Sequence, residues 1–529
     1  MQSGGDMTLR AQGMRLAGAA LSDGAMTLDA AGDLRVDGST LAYGGALTAT
    51  GGNDLTLGAE SQAQGKGVAL AAGHDMRADG VLASTGDASM QAGGNVSVNG
   101  SVGVDGNLAM QAGGSMDLGA ESQVEAAGRA TLLAQDNLVA AGAVRSNDGT
   151  SLDAGRDLTL QGIAAAMRGA LKLKAGRNAV LAATSQALAG GDADVNAGGN
   201  LNLAGKVSSL SDVLLQAGQD MTLNGQLLAA RNLRAQAGQV LTSGADAQIQ
   251  ADGDINATSG AGVTLAGQWA AGKSIALEAK GAVLADAKML AAEGGIKLGG
   301  LGDITLGNAS ELQAKTLLAV QAGGKLQAMG TLSSEGNINL SAQKNLSLEG
   351  TTVAGQQLQA TAGATLDVTR SGLAQGSNGL RFSGQDIHIA GTAGTADTAL
   401  AAGGTLDVQA SRDLTVADSG IVSAGSSASL GAQRHLGVDG VVSALDGNLA
   451  MQAGGNLNVG QQGRLQAGTE LTARADGDLV SRGTVVSGAD MALYAGNDLA
   501  LDGVVGALGQ RGSGNLVLDA GRDAYVAKG

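Results

Sequence analysis

The eight residues Gly267-Gln268-Trp269-Ala270-Ala271-Gly272-Lys273-Ser274 have the spacing of a phosphate-binding loop: glycine, four residues, then Gly-Lys-Ser. Such a loop works only when a helix follows at once, so that its N-terminal amides face the phosphates. Here Ile275-Ala276-Leu277-Glu278 alternates apolar and polar residues as a strand does, which makes the match a coincidence in a glycine-rich chain. Asp192-Ala193-Asp194-Val195-Asn196 begins like a calcium loop, but Ala197 stands where glycine is needed and Leu203 where a bidentate glutamate is needed. Gly299-Gly300-Leu301-Gly302-Asp303 approaches a calcium-binding nonapeptide, with its aspartate one place early and no nine-residue repetition. His74, His388 and His435 lie too far apart for a shared zinc site or a triad and read as exposed or bend residues. No Gly-x-Ser-x-Gly elbow is present, and the carboxylates are spread too evenly to mark an acid/base pair. The sequence predicts no enzyme, no metal and no cofactor.

The elements that carry these residues follow from an unusual composition. The 529 residues include no cysteine, no proline and five aromatics, Trp269, Phe382, Tyr43, Tyr494 and Tyr525, while glycine supplies 90. The missing proline excludes collagen and proline-rich linkers. Disorder fits poorly, because 44% of residues are hydrophobic and the net charge of −16 is spread over the whole length. A mean residue mass of about 97 Da requires a narrow core of small side chains. With Lys+Arg 32 against Asp+Glu 48 there is no basic stripe for a phosphate backbone and no aromatic stacking platform, so nucleic acid is not an expected partner. No apolar run reaches the roughly 18 residues of a membrane span, and the N-terminal stretch lacks the pattern of a signal peptide. The absence of cysteine fits the cytosol or export without disulfides.

One phrase recurs along the chain: a small residue or glycine, then Asp or Asn, then apolar, polar, apolar. It reads Gly155-Arg156-Asp157-Leu158-Thr159-Leu160, Gly198-Gly199-Asn200-Leu201-Asn202-Leu203 and Gly218-Gln219-Asp220-Met221-Thr222-Leu223. Successive markers Asp33, Asp54, Asp75 and Asn95, and again Asp157, Asn178, Asn200 and Asp220, lie 20 to 22 residues apart. Some copies are nearly literal: Leu57 to Gln62 repeats as Leu118 to Gln123, 61 positions on. Period-two alternation marks short strands, with Leu158, Leu160, Leu201 and Leu203 inward. Frequent glycine disfavours helix.

This period is too short for a propeller blade and has no helical half, which leaves an all-β, single-stranded parallel β-helix of roughly 25 coils of about 20 to 22 residues. Strands paired above and below explain the missing proline, whose lost N–H would break a ladder. Glycine before the marker, as at Gly155, is expected to supply positive φ, and Asp157, Asn200 and Asp220 to fold back onto nearby backbone N–H groups. Stacked aspartates such as Asp54 and Asp75 should repel modestly, and Asn95, Asn178 and Asn200 should relieve this. A single turn cannot bury its own apolar side, so the fold should be cooperative and need caps. Both ends of the chain, from Asp6 and from Asp523, are ordinary repeat phrases. The expectation is one continuous shaft over residues 1–529, cut from a longer protein.

The phrases around Asp157 and Asn200 resemble the roughly twenty-residue repeats of filamentous haemagglutinin and the related contact-dependent inhibition exoproteins. The resemblance covers almost the whole chain and implies a right-handed β-helix in a secreted, Gram-negative cell-surface protein. It also implies export unfolded through an outer-membrane two-partner secretion transporter, and a host or neighbouring bacterial cell as partner. The family's secretion domain carries an Asn-Pro-Asn type motif, which a proline-free chain cannot contain. The Val-Glu-Asn-Asn junction that precedes toxins in the inhibition branch is also absent, since no glutamate here is followed by asparagine. The chain thus reads as structural shaft that projects adhesive or toxin regions, the alternative being a β-helical polysaccharide-degrading enzyme. The phrase blurs at about 245–300 and 371–412, where extra residues should bulge outward. Trp269, Arg381 and Phe382 are the candidate partner contacts there.

Overall fold

A computed structural model describes residues 1–390, 400–509 and 514–527. Every regular element among them is a β-strand. The chain forms two compact units, Met1–Gly260 and Ala261–Gly529, and each is a parallel β-solenoid.

One turn of the first unit shows how the sequence dictates this. Ser101–Val104 forms a middle face, Leu108–Ala112 a long face and Met116–Leu118 a short face, before Gln123–Ala126 begins the next turn. Each strand pairs in parallel with its equivalents: Val102 lies against Leu82 and Val124, Met110 against Met90 and Leu132, and Leu118 against Val98 and Ala140. The second unit repeats the plan with Glu311–Ala314, Leu317–Ala322 and Leu326–Ala328.

Alternation sends Leu108, Met110, Ala112, Met116, Leu118, Val124 and Ala126 inward, all buried. Where two faces meet, the inward residue is mostly small: Ala92, Ala112 and Ala134 end successive long strands, and Ala126, Ser146 and Ala166 successive middle strands. Side chains converge at a corner and only small ones fit there, which is the structural origin of the low mean residue mass.

Glycine serves a different purpose from the one expected. Positive φ occurs at only three described glycines, Gly149, Gly267 and Gly509. At Gly155, before a marker, a β-carbon would overlap the Gln135 carbonyl of the turn below, and at Gly162 it would overlap the Gly142 carbonyl. These glycines let neighbouring turns approach. Because backbone cannot yield as a flexible side chain can, Gly162→Ala is expected to cost about 1–3 kcal/mol, read as a lowered urea midpoint.

Turn length is modulated at one corner. The link from short to middle strand is normally two residues, as from Val98 to Ser101, but four from Leu57 to Gln62, Leu118 to Gln123, Leu181 to Gln186 and Ser243 to Gln248. In the first unit these longer links recur at every third turn; in the second unit Leu306 to Glu311 and Val368 to Leu373 keep that interval, whereas Val416 to Ile421 and Val459 to Arg464 follow at intervals of two turns. Exposed tips such as Ala59-Glu60 and Ala120-Glu121 result, and the literal repeat 61 residues apart is two of these tips.

The stretch at 245–300 keeps its strands, including Gln248–Ala251, Gln268–Ala271, Ile275–Ala279 and Lys288–Ala291. The phrase blurs because Val240, Gly262 and Ala282 stand at the marker position, where no side chain can accept a hydrogen bond. In the stretch 371–412, Leu373–Gly376, Gly379–Gly384, Asp386–Ile389 and Thr405–Ala410 are also ordinary strands, and Ala374 pairs with Leu400. The extra residues thus fall between Ile389 and Leu400, and 391–399 lie outside the described residues.

Candidate functional site

The most ordered chemistry in each unit is the corner that leads into the short face. The backbone turns here, and the marker's N–H points toward the turn below, where no carbonyl meets it. The side chain of the marker one turn below takes that place. Asp75 N–H donates to Oδ1 of Asp54 at 3.0 Å, Asn95 N–H to Oδ1 of Asp75 at 2.7 Å, and Ser115 N–H to Oδ1 of Asn95 at 2.9 Å. The series continues through Asp157, Asn178, Asn200 and Asp220, with Asn200 accepting at 3.1 Å from Asp220. A second series runs along the corner before the long face, through Asp192, Asp212, Asn232 and Asp254. The markers therefore join one turn to the next instead of folding back locally. The bond satisfies a backbone donor that the corner would otherwise leave without a partner in the protein.

This geometry also tempers the stacking of carboxylates. The side-chain amides of Asn95 and Asn178 donate to Asp75 and Asp157 below them, both at 3.2 Å. At some of these aspartates an arginine just before the next marker also reaches down: Arg177 grips Asp157 with two nitrogens, one at 2.9 Å, and Arg434 grips Asp413 likewise, one at 2.8 Å. The Arg177 guanidinium, aided by the Asn178 N–H, holds the Asp157 carboxyl down at about 2, and Arg434 holds Asp413 at about 2. A depressed carboxyl adds stability that is complete above its ordinary value of 3.8 and disappears as pH falls through about 2. Arg177→Gln is therefore expected to lower the urea midpoint above about pH 4, with the gap to the parent closing toward about pH 2.

The look-alike motifs dissolve into this scaffold. Gly267, at φ 77°, is a corner; Gln268–Ala271 and Ile275–Ala279 are strands, so no helix stands behind Lys273 and Ser274. Asp192 belongs to the corner series, and Asp194 points outward from Ala193–Ala197. Asp303 accepts from Lys325 N–H at 2.8 Å. Among the described residues no three His, Cys, Asp or Glu side chains are arranged to hold a metal.

Two of the three candidate contact residues turn inward. Trp269 is 1% exposed and Phe382 fully buried. Phe382 lies between Ala360 below and Val408 above, the alanine leaving room for the ring. Neither aromatic offers surface to a partner, which corrects the expectation for both. Arg381 alone faces solvent, 3.3 Å from Asp407 on the next turn. Gly155, Asp157, Leu158, Leu160, Asn200, Leu201, Leu203 and Asp220 occupy the corner and strand positions their phrases predict, with the four leucines buried.

Two features escaped the sequence reading. Asp194 and Asp367 lie outward on their strands with one carboxyl oxygen each enclosed and without a hydrogen-bond partner. Burial pushes both carboxyls up, against the pull of Lys172 and of His388. Asp194 sits in a groove of about 580 Å³ with Lys172, Asp212, Leu214 and Arg234. Nothing in the phrase pattern marks these positions, because outward residues are free to vary. The second feature is His435, which occupies a marker position: its own N–H donates to Oδ1 of Asp413 at 3.1 Å, and its Nδ1 accepts from Asn456 N–H at 3.2 Å.

No helix of the described residues is long and apolar enough to cross a membrane. No curated protein and no solved structure matches the chain. The haemagglutinin repeat family matches residues 166–225 and 444–523, one stretch in each unit. Both stretches carry the stacked corner, Asn178, Asn200 and Asp220 in the first and Asn456, Asp478 and Asp498 in the second. Haemagglutinin repeats wound as a parallel β-solenoid are what a filamentous haemagglutinin-like repeat region is made of, and this chain is consistent with one.

Proposed function

We propose that this chain is the structural, non-enzymatic shaft of a secreted Gram-negative surface exoprotein, which carries adhesive or toxin regions outward to a host or neighbouring bacterial cell. One observation carries the reading: in both haemagglutinin-repeat stretches the marker, glycine and apolar positions are used for joining turn to turn. Export through an outer-membrane two-partner transporter belongs to the same proposal. A chain with no cysteine and no proline is supported as its passenger, because nothing in it cross-links or isomerises slowly before passage.

The test uses antibodies raised against the folded chain, applied to intact cells of the source organism. Labelling and protease cleavage without lysis are expected; labelling only after lysis would overturn the surface role. Incubation of the purified chain with uronic-acid polymers addresses the enzymatic alternative, and release of unsaturated sugars would overturn the structural reading.

A further inference from the structure

Within the second unit the corner series runs Asp386, Asp413, His435, Asn456, Asp478, Asp498, Asp523, and from Asp413 onward each N–H donates to the side chain one turn below. His435 is the one titratable base among these seven. Carboxylate and carboxamide oxygens accept in every state met near neutrality. An imidazole nitrogen accepts only when it carries no proton, and histidine changes charge between pH 5 and 8. The Asn456 N–H thus depends on an acceptor that mild acid removes.

We propose that His435 is a pH-sensitive joint between two turns of the second unit. When the ring takes up a proton, Nδ1 becomes a donor facing the Asn456 N–H. The bond is lost, and the ring is drawn instead toward carboxylate. The charged groups around it define the setting. Asp413 lies one turn below, already gripped by the neighbouring Arg434. Asp386 with Arg412 lies one turn further down, and Asp478 lies beyond Asn456. Asp413, held at about 2 by Arg434, stays ionised at both pH 7.5 and pH 5.0. His435 is exposed, so protons reach it without unfolding. The other corners of this series contain no such group and stay closed.

Amide hydrogen exchange of the full chain, resolved at Asn456 and at Asp478 and corrected for intrinsic chemical rates, tests this at pH 7.5 and 5.0. Protection at Asn456 is expected to fall roughly threefold to tenfold on acidification, the worth of one net hydrogen bond, while Asp478 does not change. His435→Asn, which places a carboxamide where Asn200 and Asn456 already serve, is expected to abolish the response at Asn456. An unchanged Asn456 in the parent, or an equal response in His435→Asn, would overturn the proposal. Should that variant not fold, the contrast between Asn456 and Asp478 within the parent protein still decides.

Discussion

Phe382→Ala is expected to destabilise the second unit by about 3–5 kcal/mol, the cost of removing a fully buried aromatic ring and leaving its space empty. The ring is held between Ala360 and Val408, on strands whose backbones are fixed by pairing on both sides, so the walls have little freedom to collapse. Phe382→Leu keeps much of the volume and should recover more than half of the loss. Trp269 is the only tryptophan, lies in the same unit and is 1% exposed, so its fluorescence reports the urea transition. A midpoint unchanged by Phe382→Ala would show that the ring is not in the core.

Removal of residues 201–220 from the first unit is expected to leave a folded protein, whereas removal of 201–210 should unfold that unit. The longer cut takes out one complete turn: Leu201 pairs with Met221, so Asn200 is joined to the residue that already stacks on its own successor. Gln226 then meets Gln186 where Lys206 had been, with the inward residues still inward. The shorter cut sets Val213–Ala217, a long-face strand, where a short-face strand belongs, and every later residue of the unit falls on the wrong face. Circular dichroism per residue and protease mapping of residues 1–260 distinguish the outcomes. Equal damage from both cuts would contradict the turn-by-turn pairing.

Much of the fold could be read directly from spacing. The interval between markers fixes the length of a turn, and alternation fixes which side faces in. Even Phe382 obeys it, since Leu380 and Phe382 alternate with Arg381, although its place in a stretch where the phrase blurs made the ring look like a contact residue. The corner chemistry was harder to see. A marker's partner lies 20 to 27 residues away, so local rules that seek acceptors and donors within two or three residues pick the wrong bond. For the same reason Gly155 looked like a bend that needs positive φ, when what forbids a side chain is the turn beneath it. His435 breaks the marker alphabet while keeping the marker's job, which only the position of its Nδ1 reveals.

The longer link at every third turn of the first unit bears on how such a chain can lengthen. A gene segment encoding three consecutive turns begins and ends at the same phase of the winding, so unequal exchange between neighbouring copies adds or discards whole blocks with no strand out of step. The six residues from Leu57 to Gln62 that reappear at Leu118 to Gln123, three turns on, have the spacing such exchange leaves. Related strains can then differ in how many blocks they carry while every individual block remains as stable as before.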